Sequence, residues 1–105
     1  MLERDIRKSL KARVGAYGGE IRAVSWLGRA HAPDVMCLFP EFGKYANWVV
    51  ADQDGSVLHP FIETKAPGGK PNAGQLREHE RMIAAGCIVL VISTIEQLDN
   101  WLPPI

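Results

Sequence analysis

Residues 61–65 read FIETK, a short apolar strand signal that carries a carboxylate, Glu63, and an amine, Lys65, two positions apart. In an extended strand residues i and i+2 project from one face, so Glu63 and Lys65 point one way while Ile62 and Thr64 point the other. Upstream, the strand reaches back through VLHPFIETK (57–65). Pro60 places its early part at a sheet edge or bulge, because proline has no N–H for a ladder. Downstream, APGGKPNAG (66–74) is a flexible loop without the spacing of a phosphate-binding loop. Asn72 and Gln75 have the spacing of a reciprocal helix cap, and the helix they open runs through QLREHERMIAAG to Gly86. CIVLVI (87–92) is the longest uninterrupted apolar run and is expected as an interior strand. Ser93 and Glu96 repeat the capping pattern before a last helix, IEQLDNWL, which Pro103 and Pro104 stop.

On the N-terminal side, Leu2, Ile6, Leu10, Val14 and Tyr17 recur at helical spacing, and Gly18 and Gly19 close that helix. IRAVSW (21–26) and DVMCLF (34–39) read as strands. In the segment from Glu41 to Ser56, DQDG (52–55) is a turn, while YANWVVA (45–51) fits a strand or a helix. The order α-β-β-β-α-β-α predicts a mixed α/β layer fold, with residues 1–105 as a single domain.

A chain of 105 residues buries roughly two-thirds of its unfolded surface without staples. An apolar fraction of 47% with 23% charged residues matches a soluble globular domain and excludes disordered and fibrous classes. No apolar run approaches the length of a membrane span, and the charged start LERDIRKSLKAR is no signal peptide, so a cytoplasmic location is expected. Cys37 and Cys87 lie in apolar runs without CxxC spacing, which predicts reduced, inert thiols and neither zinc site nor disulfide. Net charge is zero, yet Arg4, Arg7, Lys8, Lys11, Arg13, Arg22 and Arg29 face only Glu3, Asp5 and Glu20 at the N-terminal end. That imbalance suits either a solvated helix surface or a local basic face.

HAPDV (31–35) puts Asp34 at the start of the second strand. If strands two and three pair, Asp34 and Glu63 converge at one sheet end beside Lys65. Two carboxylates bind a hard divalent cation through oxygen, with the Thr64 carbonyl as a further ligand and water completing the shell. The ammonium of Lys65 can hold or help deprotonate a water that attacks a phosphodiester. Plainer readings exist for each residue. Glu63 and Lys65 can form an exposed charge pair, Asp34 can cap a turn, and Gln75 can serve only in its capping box. The lone histidines, His31 and His79, stay outside the core site.

PD followed by ExK resembles the PD-(D/E)XK nuclease superfamily. The early glutamate in LERDI, the Gly-Gly after the first helix, the PD strand and ETKAPGGKPNAGQLREHERMIAAGCIVLVISTIEQL together resemble the VRR-NUC nucleases, especially small stand-alone phage versions. The resemblance implies a PD-(D/E)XK nuclease-like core, a mixed central sheet flanked by helices. It also implies a Mg2+- or Mn2+-dependent DNA endonuclease with Asp34 and Glu63 as metal ligands, Lys65 as the catalytic lysine and Gln75 as a polar active-site residue. Glu3 would be the helix carboxylate near the metal. Its heptad relation to Leu10 and Tyr17 independently places it beside the buried stripe. Arg29, His31 and Lys70 are candidates for the DNA backbone. The chain departs from the family pattern in having His31 where glycine usually stands two residues before PD, and in a longer segment between Asp34 and Glu63.

The implied substrate is branched DNA such as a four-way (Holliday) junction. Symmetric cuts need two sites, and one small chain holds one, so a homodimer is expected, through NWVV (47–50) or WLPPI (101–105). Action would be in the host cytoplasm if the chain is phage-encoded. The competing reading is a non-catalytic DNA-binding or assembly module that keeps the nuclease fold.

Overall fold

The computed structural model describes residues 1–40 and 59–105. The elements are α1 (Glu3–Ala16), β1 (Glu20–Ala23), β2 (Val35–Leu38), β3 (Phe61–Thr64), α2 (Ala73–Ala84), β4 (Val89–Ile92) and α3 (Ile95–Trp101). The expected turn at 52–55 and the ambiguous 45–51 segment lie outside the described residues, as does NWVV.

The strands form one sheet in the order β1-β2-β3-β4. β1 with β2 and β2 with β3 are antiparallel, while β3 and β4 are parallel and joined through α2. A parallel pair requires such a crossover, since a tight turn can join only antiparallel neighbours. The observed order agrees with the mixed α/β layer predicted from the sequence.

One face of the sheet carries the core. Ile6, Leu10, Val14 and Tyr17 of α1 and its cap pack with Val35, Cys37, Phe39, Ile62 and Ile92, and with Leu98 and Leu102. The i, i+4 spacing that suggested the helix is therefore the spacing that fills this core. Leu2 is the exception: it caps α1, its N–H bonds the Asp5 carboxylate at 2.7 Å, and its side chain is exposed. Burial pushes the Cys37 thiol up to about 12, which keeps it protonated and unreactive.

The C-terminus of α1 shows why two glycines follow it. Gly18 adopts φ +81°, and the N–H of Gly19 reaches back to the Val14 carbonyl at 2.9 Å, closing a Schellman motif. A Cβ on Gly19 would stand 2.7 Å from both the Leu38 carbonyl oxygen and the Phe39 ring. Gly19→Ala should therefore destabilise the domain by about 1–3 kcal/mol, the usual range for overpacking. Chemical denaturation against wild type checks this.

Three sequence expectations need correction. Pro60 does not mark an edge: it is buried, its carbonyl accepts from the Cys37 N–H at 2.9 Å, and β3 lies between β2 and β4. β4 is the strand that ends the order among the described residues, and Val89, Leu90 and Val91 are only half-buried. The cap of α3 is Thr94, whose hydroxyl accepts from the Gln97 N–H at 3.1 Å, while the Ser93 hydroxyl bonds the Gln97 side chain instead. Part of the WLPPI terminus is engaged inside the fold, while Pro104 and Ile105 are exposed. Leu102 is in the core, Trp101 packs edge-on to Phe39, and the Pro103 carbonyl accepts from the Tyr17 hydroxyl. No described helix is long and apolar enough to cross a membrane.

Candidate active site and metal centre

The register of β2 on β3 decides where the two key carboxylates lie. Val35 pairs with Ile62 and Met36 with Phe61, and the Cys37 N–H bonds the Pro60 carbonyl. One further step along the same antiparallel register sets Asp34 opposite Glu63. Directly opposed residues share a face, with Cβ atoms about 5 Å apart. Val35 and Ile62 are buried on the α1 face, so Glu63 faces the other way, with Phe61 and Lys65, while the carboxylate of Asp34, just before β2, reaches Arg7 of α1 around the strand end. The FIETK alternation is realised: Thr64 meets α1, and Glu63 meets α2.

Glu63 is 7% exposed, and its Oε1 lies 3.4 Å from Nε2 of the equally buried His79. Burial raises its proton affinity above the ordinary carboxylate range; Lys65 and His79 oppose that rise, and the Asp34 charge adds to it. The influence of both Lys65 and Asp34 on Glu63 places all three charges within one electrostatic neighbourhood. The exposed-charge-pair reading of Glu63 and Lys65 fails on burial.

On the other side of the strand end, Arg7 of α1 joins the site. Its Nη2 donates to Asp34 Oδ1 at 3.2 Å and to Thr64 Oγ1 at 3.1 Å. The Thr64 hydroxyl in turn donates to Glu3 Oε1 at 3.2 Å. Glu3 thus reaches the strand end through Thr64, on the face opposite Glu63. Among the described residues no three His, Cys, Asp or Glu side chains are grouped to hold a metal. The carboxylate pair Asp34 and Glu63, with a backbone carbonyl and water, still fits magnesium chemistry, since Mg2+ is commonly held by one or two carboxylates and keeps several waters.

Gln75 forms the expected capping box: its Oε1 accepts from the Asn72 N–H at 2.9 Å, and its own N–H bonds Asn72 Oδ1 at 2.8 Å. Its carbonyl oxygen is therefore committed to the helix start. APGG is not a loose connection. Gly69 N–H bonds the Ala66 carbonyl at 2.8 Å with Gly68 at φ +81°, as a Pro-Gly turn requires, and Lys70 emerges exposed just beyond.

The loop before Asp34 is tied to its surroundings at several points. Trp26 donates to the Pro33 carbonyl at 2.7 Å, and its ring lies tilted against Phe61 with centroids 5.3 Å apart. Arg29 pairs with the buried Glu78 at 3.4 Å, so this DNA-contact candidate is engaged in an ion pair. His31 adopts φ +68°, the left-handed region that favours glycine. That conformation accounts for the glycine usual at this position in the family it resembles. Its ring packs so tightly on Gly74 that a Cβ there would come within 2.8 Å.

Arg7 was not singled out by sequence reading, and His79, set aside there with the lone histidines, is buried against Glu63. Each had a faint signal: Arg7 is one helical turn from Glu3, and His79 one turn from Gln75. Of the basic residues at the N-terminal end, Arg7, Arg13, Arg22 and Arg29 are in ion pairs, which favours the solvated-surface reading for them.

No family model matches the chain. A protein of Acyrthosiphon pisum secondary endosymbiont phage 1 described as "Putative nuclease p44" is 33% identical over 103 residues, 98% of this chain and 94% of its own length. A solved structure described as a VRR_NUC domain superposes with a TM-score of 0.71 at 33% identity, covering 93% of this chain and 90% of that one.

Proposed function

We infer that this chain, which belongs to the VRR-NUC family of nuclease domains, is a divalent-metal-dependent DNA endonuclease. What supports the reading is the β2–β3 register, which extended by one residue sets Asp34 opposite Glu63, together with the electrostatic influence of Asp34 and Lys65 on the Glu63 carboxyl. Asp34, Glu63 and the Thr64 carbonyl would hold Mg2+ or Mn2+, and Glu3 would support the site through the Thr64 hydroxyl. When bound, such a cation supplies Lewis acidity at the scissile phosphate. Lys65 orients the attacking water and eases passage of its proton to solvent as the water oxygen bonds to phosphorus, while one P–O ester bond breaks and the leaving oxygen takes up a proton from solvent. Gln75, with its carbonyl in the capping box, has its amide N–H groups to offer.

Phosphate attraction would come from Lys70 and from Arg4, Lys8 and Lys11, which are exposed and outside the described ion pairs. His31, whose ring lies against Gly74 at the start of α2, can add a donor. The proposed substrate is branched DNA, cut by a homodimer that brings two such sites together, in the cytoplasm of the host if the gene is phage-borne. One observation favours the non-catalytic alternative: Asp34, the expected ligand, is occupied by Arg7. That pair is half-exposed on both sides, and such pairs contribute at most about 1 kcal/mol, so a divalent cation can displace or join it.

The test is incubation of purified protein with labelled junction, flap, duplex and single-stranded DNA, with Mg2+ or with EDTA, after light scattering on the same preparation. The expected outcome is a particle of twice the chain mass that cuts the junction with Mg2+ and stops with EDTA. Junction binding without nicking under either condition would leave the binding-module reading; a monomer would remove the dimer.

A further inference from the structure

We propose that His79 is a positioning residue for the Glu63 carboxylate, its Nε2–H holding Oε1 so that the second oxygen is left for the cation. The inference rests on the metal-centre reading above and adds to it a residue from α2. Both partners are buried, His79 at 5% and Glu63 at 7% exposure, and their atoms lie 3.4 Å apart. An ionised carboxylate can only accept, so the ring nitrogen must donate, which the neutral Nε2–H tautomer and the imidazolium both do. Among the described residues no other side chain hydrogen-bonds the Glu63 carboxylate. Without that donor its terminal torsion would be fixed only by packing, and such sp2 torsions are broad.

His79 is itself well held, because α2 is fastened to the segment that carries Asp34. The buried Glu78 beside it forms an ion pair with Arg29 at 3.4 Å and accepts from Arg81 at 3.0 Å, and Gly74 lies against the His31 ring. One helix therefore abuts both carboxylate-bearing segments, Glu63 through His79 and Asp34 through the loop from Arg29 to Pro33. An exposed Asp34 can adjust to a cation; a buried Glu63 must be aimed in advance. Partners that orient a metal ligand in this way typically carry a 10–100-fold share of metal affinity.

The test compares wild type, His79→Gln and His79→Met by calorimetric Mn2+ titration, with thermal melting to establish folding. Glutamine places an amide donor near the position of Nε2, whereas methionine fills the space without donating. The expected result is Mn2+ affinity lowered about 10–100-fold in H79M and restored close to wild type in H79Q. Equal affinity in wild type and H79M overturns the inference, and so does a loss in H79Q as large as in H79M, which would make the histidine a packing residue. Because H79M can fail to fold, ring-nitrogen NMR of the wild-type protein supplies a second arm. Nε2 should carry a proton without metal, and its resonance should move on adding Mg2+; an unprotonated Nε2 overturns the inference. A wild-type protein that binds no Mn2+ would sink the metal reading itself, an outcome distinct from selective failure of the His79 variants.

Discussion

Replacing Lys65 with alanine is expected to lower Mg2+-dependent DNA cleavage by about 10²–10⁴-fold, the usual contribution of a positioned proton-transfer group. The residue sits just past β3, where its backbone N–H bonds the Ile92 carbonyl at 3.1 Å and so fixes the chain beyond Glu63. Alanine keeps that backbone bond. Removing the ammonium takes away the charge that most favours ionised Glu63, so at neutral pH the metal-free fold should lose some stability while remaining folded. The functional loss should be larger in turnover than in DNA affinity, since exposed phosphate contacts lie elsewhere. Loss of the ammonium also removes the charge that most opposes protonation of Glu63, so metal binding near neutral pH should weaken in the same variant. Lys65→Arg separates the two roles: guanidinium restores the charge but holds its proton far too tightly to assist a water. Cleavage by K65A at wild-type rate, in a preparation free of host nuclease, would remove the role assigned to Lys65.

Glu63→Gln should abolish cleavage and yet raise the melting temperature of the metal-free protein. The first effect follows from losing a charged ligand. Several kcal/mol of charge stabilisation corresponds to about 10³-fold or more in rate. The second follows from burial, which raises the Glu63 proton affinity in the folded state. Between its unfolded and folded pKa the native protein binds more protons than the unfolded chain, so stability falls as pH rises through that window. Ionised Glu63 is thus a liability to the empty fold at neutral pH. A neutral amide of the same shape removes it while its carbonyl still accepts from His79. The difference in melting temperature between E63Q and wild type should be largest above the raised pKa and should shrink as pH falls toward the ordinary carboxylate value. Scanning calorimetry across that range checks the sign. A variant less stable than wild type at neutral pH, without metal, would contradict it.

How much of this was legible in the sequence follows from the range of each interaction. The helix from Glu3 to Ala16, the FIETK strand and the Asn72–Gln75 cap are set by neighbours a few residues away, and local pattern suffices for them. That β4 ends the strand order among the described residues was not legible. An apolar run such as CIVLVI suggests a strand covered on both faces, whereas Val89, Leu90 and Val91 are only half-buried, and the run carries no record of whether a strand lies alongside. Pro60 misled for a related reason: what it lacks is a donor, and its contribution to the sheet is an acceptor. At the site, the convergence of Asp34 and Glu63 could be proposed from strand pairing, while the Arg7–Asp34–Thr64 bridge depends on how α1 packs across the sheet. His79 carries the same lesson. A single histidine on a helix has no sequence signature of its partner, and only the docking of α2 on β3 brings it to Glu63.

The central claim is that Asp34 and Glu63 share one divalent cation beside Lys65. Its most direct test is an anomalous difference map from crystals grown with Mn2+. The account predicts a peak bonded to one oxygen of Asp34 and one of Glu63 at about 2.2 Å, a metal–oxygen ligand distance. Density for Mn2+ elsewhere, with Arg7 still on Asp34 and Glu63 unligated, would contradict it.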